Sequence, residues 1–487
     1  MNFLKKVAKF ATNITMTLFR YLILAKKFVK KISVNFLLVF HSKVSLPVRD
    51  SIKKTPIRIP RNEHTLSRKL MSPAALTVLY QLNKAGYQAF LVGGGVRDVL
   101  LGRVPKDFDV VTNALPEQIK NIFRSCRLIG RRFVLAHVRI NREIVEVATF
   151  RAHHHKGGGG KIENGRIVRD NVYGSTVSDD AWRRDFTINA LYYDISDFSL
   201  LDYANGLSDL QAGIIRLIGK PKLRYQEDPV RMLRAIRFSA KLNFTMAPET
   251  AELIPQLGGL LANIPPARLF EEVLKLFLSG HAEQSFVELQ RYNLFKHLFP
   301  YTDACLDDPI ALALVKQVLH NTDKRKNDNK PITPDFLLAT LLWPSLSHLL
   351  PEQSTKGSNQ QQILLEAGQK TLAKQQRHVA IPRRIAILIQ EIWLFQLRLT
   401  RSRRSKKKSL GLLEHPRFRA GYDFLLLRAN AGEEQMVEFA QWWKTLINTD
   451  PEGRETFLSD QTPTTTTAKK KRRRRKPKQS PPTDPEE

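Results

Sequence analysis

The segment Leu91 to Asp109, LVGGGVRDVLLGRVPKDFD, constrains this chain more than any other stretch. Phe90-Leu91-Val92 is apolar enough for a short strand, and it runs straight into Gly93-Gly94-Gly95. Val96 to Leu101 continues as the first part of a helix that Gly102 ends, and Phe108 to Thr112 reads as a second strand. Bare glycines between a strand and a helix let backbone N–H groups approach an anion, and the helix start adds positive potential. Gly93 and Gly94, with Arg97 one turn on, are therefore candidates for holding a phosphate. A glycine turn alone is equally an ordinary tight turn. Asp107 and Asp109 give it chemical meaning, because period-two geometry puts both carboxylates on one face of the strand and Phe108 on the other. Two converging carboxylates suit a hard cation such as Mg²⁺, which makes Asp107 and Asp109 candidate metal ligands and catalytic residues. Two such ions can activate an attacking hydroxyl and neutralise a leaving pyrophosphate.

A third carboxylate is expected to complete this set. Asp185, in Arg183-Arg184-Asp185-Phe186, is favoured, since the neighbouring arginines, Arg184 among them, are suited to a triphosphate or a sugar. Glu146, on an expected strand from Ile144 to Phe150, is the alternative. Further on, Glu227-Asp228-Pro229-Val230-Arg231 opens a helix, with Pro229 at its first position and Asp228 as the cap. Arg231 then falls on the same face as Asp228. An acceptor carboxylate beside a fork of donors can read the edge of a base; the same spacing also fits simple capping with a surface arginine.

Charge points to the same kind of partner. The chain has 78 Lys and Arg against 46 Asp and Glu, a formal charge of +32, which favours a partner rich in phosphate. Residues 1–60 form a basic extension. Its longest uncharged run, Ile32 to Ser42, is well short of the ~20 residues a membrane span needs, although a basic amphipathic arm is suited to touching an anionic membrane surface. Cys126 and Cys305 are too few for a zinc site or a disulfide framework, in keeping with a reducing, cytoplasmic setting. His153, His154 and His155 lie in a Gly-rich stretch, 152–165, that reads as a flexible loop; their spacing is wrong for a closed metal site.

Elsewhere the periodicity predicts a helix from Pro73 capped by Ser72 and closed by Gly86, a helix from Pro116 to Ser125, a hairpin of Phe133–Ile140 with Ile144–Phe150, and a helix from Ala181 to Tyr193. Strand-like residues follow at 198–203 and 214–218. After Glu227 apolar residues recur at three and four spacing in Arg231–Leu242, Ala267–Leu278, Ala311–Leu319, Phe336–Leu342, Arg384–Leu399 and Glu433–Leu446. The expected fold class is α+β: a small mixed-sheet head (61–220), a helical neck (221–300), a helical body (301–461), and a basic tail (462–487) too rich in Thr, Pro, Lys and Arg to bury a core.

As an ordered set, LVGGGVRD, KDFDVVT, RRDFTINALYY and EDPVRMLRAIRFSAKL resemble the class II nucleotidyltransferases of the DNA polymerase β superfamily, whose members are bacterial poly(A) polymerases and tRNA CCA-adding enzymes. The resemblance runs from about residue 60 to about 300. Between the branches, LIGRRFVLAHV (Leu128 to Val138), IPPARLFEEVLKL (Ile264 to Leu276), Leu413 to Leu427 and the basic tail are similar to the poly(A) polymerases. The resemblance implies template-independent addition of AMP from ATP to RNA 3′ ends with release of pyrophosphate. It makes Asp107 and Asp109 ligands of two Mg²⁺ ions and Asp185 the further active-site acid. Gly93, Gly94, Arg97 and Arg184 would serve the triphosphate, and Asp228 and Arg231 would read adenine. It also implies association with RNA-decay machinery. The alternatives are a tRNA CCA-adding enzyme and a non-catalytic RNA-binding scaffold; intact Asp107 and Asp109 speak against the second.

Overall fold

A computed structural model describes residues 55–460 apart from 131–132, 153–159, 164–165, 352–358 and 404. The histidine triplet, most of the basic extension and the basic tail lie outside the described residues.

The head is built on one mixed sheet. Its strands are β1 (Ile57–Ile59), β2 (Ala89–Val92), β3 (Asp109–Thr112), β4 (Cys126–Ile129), β5 (Leu135–Ile140) and β6 (Glu143–Thr149), with two more strands defined below. Gly160–Glu163 (β7) and Arg166–Asp170 (β8) pair with each other as a separate hairpin, so the Gly-rich stretch is partly strand rather than wholly loop. Leu191–Asp194 (β9) and Leu200–Asp202 (β10) complete the main sheet, whose order is β1-β10-β9-β2-β3-β6-β5-β4. β2 and β3 thus lie in the middle, antiparallel to each other, while β3 and β6 run parallel. Every residue of β2 is buried, as expected of a strand covered on both faces.

Local signals place the flanking helices well. In α1 (Pro73–Lys84) the Ser72 hydroxyl accepts from the Ala75 N–H at 3.0 Å, and Gly86 takes the left-handed φ of +85° just beyond its end. In α2 (Gly94–Leu100) the helix begins two residues earlier than the sequence suggests, so only Gly93, at φ +80°, is the turn itself.

The expected helix Ala181–Tyr193 is not one helix. The chain forms α3 (Val177–Arg183), passes Asp185 with Arg184 and Phe186 in extended backbone to a 3₁₀ turn at Thr187–Asn189, and then becomes β9. The reason is tertiary: Leu191, Tyr192 and Tyr193 are paired between β2 and β10 and are almost wholly buried. Helix-compatible spacing lost to the demand for a central strand.

Beyond the sheet the chain is almost entirely helical, through α4 (Pro221–Glu227), α5 (Val230–Leu242), α6 (Pro266–Phe277), α7 (Pro309–Asn327), α8 (Pro334–Leu341), α9 (Gln360–Gln375), α10 (Arg383–Ser402), α11 (Lys406–Leu413), α12 (Phe418–Ala431) and α13 (Glu434–Asn448). The apolar stripes pack inward: Leu233, Ile236, Val273, Leu276 and Phe277 are buried in one core with the sheet residues. A second cluster around Phe395, Leu399, Phe418, Trp442 and Trp443 holds α10, α12 and α13 together.

Candidate active site

Antiparallel pairing of β2 with β3 sets Val92 opposite Asp109, so the glycine turn leaving β2 meets the carboxylates entering β3. A Cβ built on Gly93 would stand 3.3 Å from Asp109 Oδ2 and 3.6 Å from Arg184 Nη1. One built on Gly95 would stand 2.9 Å from the Asp107 carbonyl oxygen and from the Phe108 ring. Close backbone approach is therefore what demands glycine here. Phe108 is buried and Asp107 is exposed, while Asp109 is partly exposed. This is the alternation expected of D-x-D, although the regular strand begins only at Asp109.

Parallel pairing of β3 with β6 puts Glu146 directly abreast of Asp109. Burial pushes the Asp109 carboxyl up to about 6, with Glu146 and Asp107 raising it and Arg184 opposing them. Among the described residues neither the Asp107 nor the Asp109 carboxylate takes part in a hydrogen bond or an ion pair. A half-buried carboxylate among other acids, without a donor, is an environment that a divalent cation would relieve. Three His, Cys, Asp or Glu side chains do not converge as a ready-made metal site among the described residues. The residues present thus fit a hard cation that takes its remaining ligands from water and from a substrate's phosphates.

Asp185 has protein partners of its own. It is in an ion pair with Arg234, and accepts from the Asn189 amide at 3.3 Å and from the Phe186 N–H at 2.8 Å. Burial alone would raise its pKa; Arg234 and these donors hold it well below the usual carboxylate range. Asn189 also accepts from Arg97 at 2.7 Å. Arg97 is buried and its guanidinium donates twice to Asp98, at 2.7 and 2.9 Å. Its Nη2 lies 3.6 Å from a Cβ built on Gly94, beside the turn. Arg97, Arg234 and Arg237 surround the Phe238 ring, with guanidinium carbons 5.2, 5.6 and 4.5 Å from its centroid.

Arg184 is the cation that does border the pair. Its Nε donates to Asp180 at 3.0 Å and to the Tyr192 hydroxyl at 2.9 Å, and its Nη1, which donates to the Asn189 carbonyl at 3.5 Å, lies beside Gly93 and near Asp109.

The second cluster lies at the junction of α4 and α5. Asp228 is not the cap of α5: the helix starts at Val230, Pro229 is already helical at φ −56°, and Asp228 closes α4 in extended backbone. Its carboxylate is gripped by both ends of Arg268, at 2.8 and 2.7 Å. Arg231, expected beside Asp228, instead donates to Glu227 at 3.0 Å and to the Arg224 carbonyl at 2.6 Å. Arg224 in turn donates to Glu227 at 2.6 Å and to the Arg184 carbonyl at 2.6 Å, which ties this cluster to the first one. Sequence reasoning assigned no role to Arg224, Arg268, Asn189 or Arg234. The arginine periodicity from Arg231 to Arg234 and Arg237 hinted at the last; nothing local could reveal the other partners.

Comparison with known proteins identifies the family around this site. Residues 89–216 match the "Poly A polymerase head domain", 243–306 the "Probable RNA and SrmB- binding site of polymerase A", and 356–478 the "Polymerase A arginine-rich C-terminus". The chain is 48% identical over 412 residues to poly(A) polymerase I of Salmonella typhimurium, covering 82% of this chain and 88% of that one. Similarity to the CCA-adding enzyme of Lactobacillus johnsonii is 38% over 213 residues, only 44% of this chain. Among solved structures, a tRNA-processing enzyme in its apo form superposes with a TM-score of 0.56 at 21% identity, over 82% of this chain and 99% of that one, which shows a shared fold.

Proposed function

The chain belongs to the bacterial poly(A) polymerase I family of nucleotidyltransferases and extends RNA 3′ ends without a template; from that premise we propose how its residues divide the work. The observation that carries the proposal is the approach of Gly93, Asp109 and Arg184 within one small site. ATP is the nucleotide. Its triphosphate lies along the glycine turn, where N–H groups of Gly93 and Gly94 and the outer nitrogens of Arg184 bind oxygen. Asp107 and Asp109 hold Mg²⁺, with Glu146 abreast of them on the neighbouring strand. When bound, the cations neutralise the phosphates and lower the pKa of the attacking hydroxyl. Asp185 acts as an active-site acid by fixing Arg234 and Asn189, and through Asn189 it orients Arg97 behind the turn. The RNA 3′ hydroxyl attacks the α-phosphorus in line, and pyrophosphate departs along the turn.

Asp228 and Arg231 choose the base. Arg268 aims the Asp228 carboxylate, and Glu227 with Arg224 aims Arg231, so a planar acceptor and donor edge is preorganised for adenine. Helices of the body and the basic tail hold RNA by its backbone with little sequence preference. A role with RNA-decay machinery, a cytoplasmic setting and contact of residues 1–60 with an anionic membrane surface belong to the same reading. Among the described residues no helix is long and apolar enough to cross a membrane.

The test separates the two branches of the family. The protein is given a generic RNA with ATP alone, and separately a tRNA lacking its CCA end with CTP and ATP. Long, heterogeneous A tails on the first substrate are expected. Ordered addition of only C, C and A to the tRNA, with no extension of the generic RNA, refutes the adenylate reading and leaves nucleotidyl transfer standing.

A further inference from the structure

The acids of the head are not served evenly by its arginines. Asp180, on α3, is almost wholly buried, and two arginines converge on it. Its Oδ2 accepts from Arg184 Nε at 3.0 Å and from the Tyr192 hydroxyl at 2.9 Å. Its Oδ1 accepts from the Arg151 N–H at 3.3 Å and lies 3.5 Å from Arg151 Nε. Asp109 has Glu146 abreast of it, yet among the described residues its carboxylate has no arginine of its own. Arg184 is near enough to supply one, because its Nη1 and Asp109 Oδ2 both lie within 3.6 Å of the same Cβ built on Gly93. A guanidinium pairs readily with a carboxylate through two parallel hydrogen bonds, so something must hold Arg184 back. Strand pairing sets Tyr192, Val92 and Asp109 in one row across β9, β2 and β3. The Tyr192 hydroxyl accepts from the same Arg184 Nε at 2.9 Å, and the guanidinium carbon lies 5.3 Å from the Tyr192 ring centroid. Asp180 and Tyr192 thus anchor the arginine on the β9 side, two strands from Asp109.

We propose that Asp180 is a positioning residue that holds Arg184 off Asp109, so that one carboxylate keeps the arginine and the other stays open to a divalent cation. The proposal rests on the reading that Asp109 holds Mg²⁺ and Arg184 the triphosphate. Charge balance alone asks for one arginine on Asp180, and Arg151 supplies it at Oδ1, where its guanidinium also lies 5.1 Å from the Phe133 ring centroid. Oδ2 is therefore available for a separate task. With two acceptors on its Nε, Arg184 cannot offer Asp109 the side-on fork of Nε and a terminal nitrogen. The end of the guanidinium stays toward Gly93, where phosphate oxygens would arrive with the nucleotide, and it meets them without first giving up a bond to Asp109. Without the Asp180 charge the buried Arg184 loses its counter-ion. A buried charge left alone is costly, and Asp109 is the neighbouring unpaired carboxylate. Arg184 then moves to Asp109 and closes it to the cation.

Asp180→Asn in the full-length chain is the test, since it keeps the shape of the side chain and an oxygen for Arg184 but removes the charge. In a crystal structure of this variant grown without metal, Arg184 should be found in an ion pair with Asp109. The Mg²⁺ concentration for half-maximal ATP incorporation at saturating ATP should rise on the order of tenfold, because a competing state that leaves about a tenth of the molecules open weakens apparent affinity by the same factor. Because the effect is competition, kcat should recover at high Mg²⁺. A merely structural Asp180 would lower Tm and kcat and leave the Mg²⁺ requirement where it was. In Asp180→Asn/Arg184→Gln the competitor is gone, so the Mg²⁺ requirement should return to that of Arg184→Gln alone while KM for ATP stays high. Tyr192→Phe covers the case of a poorly folded Asp180→Asn: it removes one of the two acceptors on Arg184 Nε and should move the Mg²⁺ requirement in the same direction by less. Arg184 still in its wild-type place in the Asp180→Asn crystal overturns the proposal, as does an unchanged Mg²⁺ requirement in both Asp180→Asn and Tyr192→Phe. The wider reading fails separately. A wild-type KM for ATP in Arg184→Gln removes Arg184 from the triphosphate, and an active Asp109→Ala removes Asp109 from the metal. A raised KM in the first and an inactive second, with Asp180→Asn silent toward Mg²⁺, remove the role of Asp180 alone.

Discussion

Gly95→Ala should damage catalysis far more than its single added methyl suggests. The new Cβ would stand 2.9 Å from the Asp107 carbonyl oxygen and 2.9 Å from the Phe108 ring, whereas ordinary contact begins at 3.4 Å. The backbone at Asp107 must therefore retreat by about half an ångström. Overpacking of this kind costs about 1–3 kcal/mol of stability, which a chain with this much buried core should survive. The catalytic cost is larger, since misplacing a reacting group by about 1 Å lowers rate on the order of 10²-fold. A shift of half that size across the two carboxylates proposed to hold Mg²⁺ should reduce kcat by roughly ten- to a hundredfold. Gly94→Ala is the control. Its Cβ meets only the Arg97 side chain, at 3.6 Å, so the carboxylates stay in place, and any loss should appear in KM for ATP through poorer approach to the phosphates. Steady-state ATP incorporation on an oligo(A) primer, with a thermal melt of each variant, separates the two. Equal kcat in Gly94→Ala and Gly95→Ala would refute the steric argument, as would a Gly95→Ala protein that is wild type in kcat.

Asp107→Ala and Asp109→Ala should each lower incorporation on the order of 10³-fold or more while RNA affinity stays near wild type; a variant that keeps more than a few per cent of activity removes that residue from the metal site. Asp228→Ala and Arg231→Ala should blur nucleotide choice more than they lower turnover, with ~1–3 kcal/mol of discrimination lost per good bidentate contact, and unchanged preference among ATP, CTP, GTP and UTP would return both to structural roles. The Asp185 pKa is held below its unfolded value, so its stabilising effect is full at neutral pH, starts to fade below about pH 4 and is lost as pH falls through the folded value. Asp185→Asn should accordingly flatten the acid limb of a Tm-against-pH curve, and an unaltered limb would mean that Arg234 is not its partner in solution. Deleting residues 462–487, which carry the run Lys469 to Lys476, should weaken RNA binding and flatten its salt dependence by roughly 0.7 per lost phosphate contact; coincident slopes assign the tail another role.

The parts of the site that were legible in the sequence are those set by neighbours in the chain. The glycine turn, the D-x-D alternation around Phe108, the Ser72 cap and the body helices read at Ala311–Leu319, Phe336–Leu342, Arg384–Leu399 and Glu433–Leu446 follow from periods of 2.0 and 3.6 and from the backbone freedom of glycine. Position along a single element fixes them, so no knowledge of distant residues is needed. The amphipathic helices after Glu227 came through with ends mostly within a few residues, as for Arg383–Ser402 and Pro266–Phe277; the exception is Pro309–Asn327, whose polar last two turns extend past the apolar pattern. The sequence also carried the ordered motif set, and with it the family.

Which charge meets which was decided by the tertiary structure alone. Asp185 finds Arg234, 49 residues away, and Asp228 finds Arg268, 40 residues away. Asp109 stands abreast of Glu146 because β3 and β6 run parallel. The stretch Leu191–Asp194 became a strand because the sheet had a place between β2 and β10 that its large buried side chains could fill. Local propensities differ by fractions of a kilocalorie per residue. Burying Tyr192 and Tyr193, or leaving a buried carboxylate without its arginine, is worth several times more, so the long-range partners prevail wherever the two disagree.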